Sequence, residues 1–200
     1  MTIVDNFDLI KPLLKFETEG VFYFLQILQR KKENPNIGSN SNVISTYYIK
    51  SINHLMNVKE EIILLCELYN ARAYINLNPR KNKDLCLPMI KKLISNIENK
   101  DFSQIHRVFD SVCGEYKKTV DKTWIIDLDD YPGYQFLNEF DYIEYLKNLQ
   151  PIGNKVKAVI PTLNGSHLIT SPFNTEEFMR DYPNFDIHKN NPTILYFKTK

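Results

Sequence analysis

The sequence predicts an α/β (α+β) protein. Three observations carry that: runs rich in aromatic and β-branched residues, runs whose apolar positions recur at helical spacing, and an Asn-Gly pair between two alternating runs. Residues 22–29 (FYFLQILQ) fit a strand or the middle of a short helix, and their aromatic content favours the strand. The Asn-, Ser-, Gly- and Pro-rich stretch KKENPNIGSNSN reads as an exposed loop. Residues 43–52 (VISTYYIKSI) alternate and form a second strand. Asn57, with Glu60 three residues on, stands as the N-cap of the helix containing EIILLCELY.

Residues 71–77 (ARAYINL) alternate again and end at Asn78-Pro79. Residues 83–99 place Leu85, Met89, Ile90, Leu93 and Ile97 at helical spacing, and 103–116 form a further helix. Residues 123–128 (TWIIDL) are almost continuously apolar, the pattern of a strand covered on both faces. A helix at 138–148 follows, then a hairpin of 155–162 and 166–170 around Leu163-Asn164-Gly165. A helical turn at 176–180 and a strand at 193–198 close the chain. A boundary near 114–122 divides an N-terminal α/β lobe (1–120) from a C-terminal lobe (121–200), within one compact unit.

Composition limits the function classes. The chain has 200 residues, 43% of them apolar, enough for a packed core. A net charge of +1 excludes non-specific coating of nucleic acid but leaves room for a local basic groove. Cys66, Cys86 and Cys113 are too few and too far apart for a disulfide framework or a zinc site. No basic leader opens the chain and no apolar run approaches bilayer length, so the expectation is a cytoplasmic protein with no membrane association.

Four features carry candidate chemistry. In a strand, residues two apart share a face, so Asp127 and Asp129 project side by side from the end of an apolar strand. Paired carboxylates disfavour each other's ionisation, and a divalent cation relieves this; oxygen ligands favour Mg²⁺ or Mn²⁺. The alternative is a solvated strand end running into the turn Asp130-Tyr131-Pro132-Gly133. His167, in Asn164-Gly165-Ser166-His167, is either packed or aimed into a cleft. Ser166 and the backbone of Gly165 offer donors to a phosphate there. Asp186 either joins the first acids or caps a turn, while His188 and Lys189 read as exposed. Arg72, Arg80, Lys81 and Lys83 form either a solvated edge or forks for phosphate and carboxylate.

The order of these features resembles the catalytic module of the archaeo-eukaryotic primase superfamily, which includes the primase-polymerases. The residues that carry the resemblance are Asp127 and Asp129, then Gly165-Ser166-His167, then Asp186. The likeness would span most of the chain. It departs from the family in the short distance from His167 to the last acid, and in lacking a zinc-binding insert. The resemblance implies an α/β lobe packed on an RRM-like βαββ unit with mixed or antiparallel sheets. It also implies two-metal nucleotidyl transfer to nucleic acid from a nucleoside triphosphate, with Mg²⁺ or Mn²⁺ on Asp127, Asp129 and Asp186. His167, assisted by Ser166, would contact the triphosphate. A role for Arg72 or Arg80 on phosphates is an inference from their chemistry alone. Two other readings stay open. One is a metal-dependent phosphodiesterase or nuclease using the same groups. The other is a non-catalytic nucleic-acid- or protein-binding protein of a phage or mobile element, a source compatible with the Lys-, Asn- and Ile-rich composition.

Overall fold

A computed structural model describes residues 2–129 and 139–199, with Asp129 and residues 139–141 described by their backbone alone. The expected turn at 130–133 lies outside the described residues. The chain is a mixed α/β protein whose described residues form two sheets. The larger is ordered β1 (Ile3–Asp5), β10 (Thr193–Lys198), β4 (Arg72–Ile75), β2 (Val21–Arg30), β3 (Ser41–Ile49), with the short β5 (Arg80–Lys81) also paired to β2. The smaller is ordered β7 (Val156–Pro161), β8 (Gly165–Thr170), β6 (Trp124–Asp129), β9 (Asp186–His188), and is antiparallel throughout.

The smaller sheet follows the chain order β6, α6 (Glu139–Asn148), β7, β8, α7 (Thr175–Asp181), β9. The expected βαββ order is present and is extended to a split βαβ arrangement. Alternation along β6 explains why both faces are apolar. Ile126 points to the helices and packs with Tyr142, Leu146, Leu168 and Phe178. Ile125 points the other way, into a core shared with the larger sheet through Ile169, Leu77 and Leu195. Leu146, Leu168 and Phe178 are at most 1% exposed, and each stabilises the fold by about 1.5–3 kcal/mol.

The larger sheet is also covered on both faces. Leu25 and Ile27 of β2 pack on α1 (Phe7–Ile10), α2 (Ile52–Asn57) and α3 (Lys59–Tyr69). Phe22 and Phe24 pack on α4 (Asn82–Glu98) and α5 (Val108–Glu115). On α4 Leu85 is buried and Met89 and Leu93 are partly buried along the same stripe, whereas Ile90 and Ile97 are exposed. A 3-10 turn at Ile105–Arg107 precedes α5, so the expected helix at 103–116 is shorter. Asn57 does not cap α3. The Ser51 hydroxyl accepts from the His54 backbone N–H at 3.0 Å and starts α2 earlier, which places Asn57 inside a helix. Asn70 ends α3 with φ of 47°, the left-handed geometry that Asn tolerates.

The last strand, which follows the expected boundary at residue 120, joins the larger sheet. β10 leaves the C-terminal half and lies between β1 and β4 in the larger sheet. Its sequence TILYFK is buried at its first five positions, which suits an interior strand rather than an edge. Among the described residues, no helix is long and apolar enough to cross a membrane.

Candidate active site

Strand register brings three of the sequence candidates into one row. Asp127 on the central strand β6 stands opposite His167 of β8 on one side and Asp186 of β9 on the other. Residues directly opposite in antiparallel strands share a face, so the three side chains lie on the face that carries Ile125 and Ile169. His167 Nε2 is 3.7 Å from Asp127 Oδ1, and the two side chains are 15% and 26% exposed. Its Nδ1 shares a 2.8 Å hydrogen bond with Oγ1 of Thr193, a fully buried residue at the start of β10. The imidazole is therefore held from the larger sheet, with its other edge beside the carboxylate. Asp186 is the exposed member of the row. Asp129 pairs with Gly165 one step along the same ladder, and its side chain is outside the described atoms.

A cleft of about 330 Å³ opens over Asp127 and His167 at the junction of the sheets. Arg30, Lys32 and Arg72 line it from the larger sheet and its loop, and His188 lines it from β9. Three fixed cations thus share the cleft with Asp127, which favours an anionic ligand there. The Arg72 guanidinium is ion-paired with Glu33 and lies over the Phe197 ring, 4.7 Å from its centroid. Arg30 donates to the Tyr74 hydroxyl at 3.2 Å.

Two sequence candidates lie elsewhere. Ser166 stands opposite Leu128 and Pro161, one residue out of phase with His167, and so occupies the helix-covered face of the small sheet. Arg80 is fully buried. It donates to the carbonyls of Cys113 (3.0 Å) and Asn78 and to Asn76 Oδ1 (2.8 Å), and burial pushes its pKa down to about 10. His188, expected to be exposed, is half-buried against the cleft because it follows Asp186 at the two-residue period of a strand. The sequence reading missed Arg30, Lys32 and Thr193. Each sits at a strand end or in a loop, and cross-strand register, which no local motif encodes, brings it to the site.

Among the described residues, no group of three His, Cys, Asp or Glu side chains is placed to hold a metal ion. Asp127 and Asp186 form a row rather than a cage. Their hard oxygen donors still fit Mg²⁺ or Mn²⁺, since Mg²⁺ is commonly held by one or two carboxylates plus water and substrate phosphates. Compared with models of known protein families, with curated proteins and with solved structures, the chain matches none.

Proposed function

We propose that the protein carries out metal-dependent nucleotidyl transfer to nucleic acid, in the manner of the primase-polymerases that its motif order resembles. One observation carries the reading: Asp127 and His167 line one cleft with Arg30, Lys32 and Arg72, and Asp186 stands opposite Asp127 in the same cross-strand row. Acids beside cations suit a ligand that is itself anionic and arrives with a divalent ion. Asp127 and Asp186, together with Asp129, are the residues that would hold Mg²⁺ or Mn²⁺. When bound, such ions favour deprotonation of a sugar 3′-hydroxyl and offset charge on the phosphates.

The chain's own residues supply position. Thr193 fixes the His167 ring, so that a phosphate oxygen meets an oriented nitrogen rather than a rotating one. Glu33 and Phe197 hold the Arg72 guanidinium at the wall before any ligand arrives. Arg30 and Lys32 add charge that draws a triphosphate into the cleft.

Calorimetry with Mn²⁺ or Mg²⁺, with and without a nucleoside triphosphate, tests the reading. Metal binding should tighten with nucleotide and vanish in Asp127→Asn/Asp129→Asn, and primer synthesis should fall about a thousandfold. Hydrolysis of nucleic acid without nucleotide would replace this reading with a phosphodiesterase. Absence of metal binding in the wild type would make the acids structural and the protein a binding module.

A further inference from the structure

Ile125 lines the cleft of Asp127, whereas its cross-strand partner Ile169 lines a second and larger cleft of about 750 Å³ that shares no lining residue with the first. Leu13, Val21, Leu77 and Pro172 give this second cleft apolar walls. Lys15, Lys81, Lys122 and Lys157 also line it, against only Glu17 and Asp121. Lys11, Lys59, Lys92, Lys147 and Lys198 elsewhere each have a carboxylate within 4.0 Å. Among the described residues, none of the four cleft lysines does.

The Lys157 ammonium and the Lys15 backbone are held from behind. Lys157 Nζ donates to Thr123 Oγ1 at 3.0 Å, leaving the Thr123 hydroxyl proton to be donated in turn. Thr123 is itself clamped: its N–H donates to Asn78 Oδ1 at 2.7 Å and its carbonyl accepts from Asn78 Nδ2 at 2.9 Å. The Tyr23 hydroxyl accepts from the Lys15 N–H at 2.7 Å and donates to the Lys15 carbonyl at 3.2 Å. Desolvation by the cleft walls lowers the Lys157 pKa; the charge of Lys15 adds to the shift and that of Asp121 opposes it. Like charges gathered at an apolar surface cost free energy unless an anion joins them.

We infer that this cleft binds a phosphorylated small molecule of nucleotide size, with its phosphate on Lys157 and Lys15 and its body on the apolar wall. Lysine is a point-charge ligand for phosphate, and the volume falls within the range of roughly 300–1,000 Å³ usual for small-molecule sites.

The test uses the full chain, ¹⁵N-labelled and titrated with AMP and, separately, with inorganic phosphate. AMP should shift the amides of Leu13, Leu77 and Ser171 saturably, independently of any shift at Tyr74 and Leu163 beside the first cleft. Lys157→Met should weaken AMP binding about tenfold or more, and Lys157→Arg should restore most of it. Asp127→Asn should leave it unchanged, so that failure here is distinct from failure of the nucleotidyl-transfer reading. Three results would overturn the inference: no saturable shift up to millimolar AMP, shifts confined to the first cleft, or equal AMP affinity in Lys157→Met. Inorganic phosphate binding as tightly as AMP would overturn the claim of nucleotide size.

Discussion

Arg72 and Arg80 flank one short strand and turn, yet they belong to regions built on opposite principles. Around Arg80, Nε and Nη1 are taken up by buried acceptors, while Nη2 has no hydrogen-bond partner among the described residues. Asn76 Oδ1 accepts from both Arg80 and the Asn78 N–H, Asn78 clamps Thr123 at the start of β6, and the Asn76 amide donates to the Asn190 carbonyl at 2.6 Å. This polar knot joins the turn after β4 to Thr123, the residue that leads into β6. Around Arg72 the partners are side chains, Glu33 and the Phe197 ring, and beyond them lies open volume. A guanidinium taken up by backbone carbonyls is a structural bolt. One held by a carboxylate at the rim of a cleft is oriented and still exchangeable.

The largest effect that separates the two regions is on stability. Arg80→Met removes the charge and takes the donor from two carbonyls in a dry interior, those of Cys113 and Asn78, at about 1–3 kcal/mol for each left unsatisfied, while Asn76 Oδ1 keeps the Asn78 N–H. With partial relaxation the expected loss is about 3–5 kcal/mol in denaturant unfolding. A loss below about 1 kcal/mol would mean the knot is not what fixes the junction of the sheets.

Arg72→Met should show the reverse pattern. Its ion pair is largely but not fully buried, with side chains 15% and 13% exposed, so stability should fall by about 1–3 kcal/mol, less than for Arg80→Met. Triphosphate affinity at the first cleft should fall about tenfold, which calorimetry reads directly. Unchanged affinity with a large loss of stability would place Arg72 in the same class as Arg80, and the contrast would collapse.

The sequence was legible where a single element carries the signal. The alternation of 71–77, the apolar run before Asp127 and the Asn-Gly hairpin each depend on neighbours along the chain, and each became the expected strand. Asp127, His167 and Asp186 could be picked out because acids and a histidine stand out in apolar strands. Facing is harder to read. Ser166 was grouped with His167 because they are adjacent, and adjacency in a strand means opposite faces. Arg80 looked like a surface charge because the carbonyls that accept its protons come from Asn78 and from the distant Cys113. The place of β10 was hidden for the same reason: TILYFK shows that it is buried, but not which sheet buries it.

The cysteines offer the smallest and sharpest reading of the knot. Cys86 is exposed, whereas Cys66 and Cys113 are buried, and burial pushes both buried thiols up to about 12. Thiolate is the reactive form, so near pH 8 the buried pair holds almost none and Cys86 alone should react promptly with a disulfide reagent. Cys113 also supplies the carbonyl that accepts from Arg80 Nε. If Arg80→Met loosens the knot locally, Cys113 becomes the second fast thiol while Cys66, on the buried face of α3 in the main core, stays protected. If the same variant acts only by lowering global stability, Cys66 and Cys113 should appear together at one unfolding-limited rate. Counting thiols over time therefore tells a local bolt from a general weakening, even where both give the same unfolding midpoint.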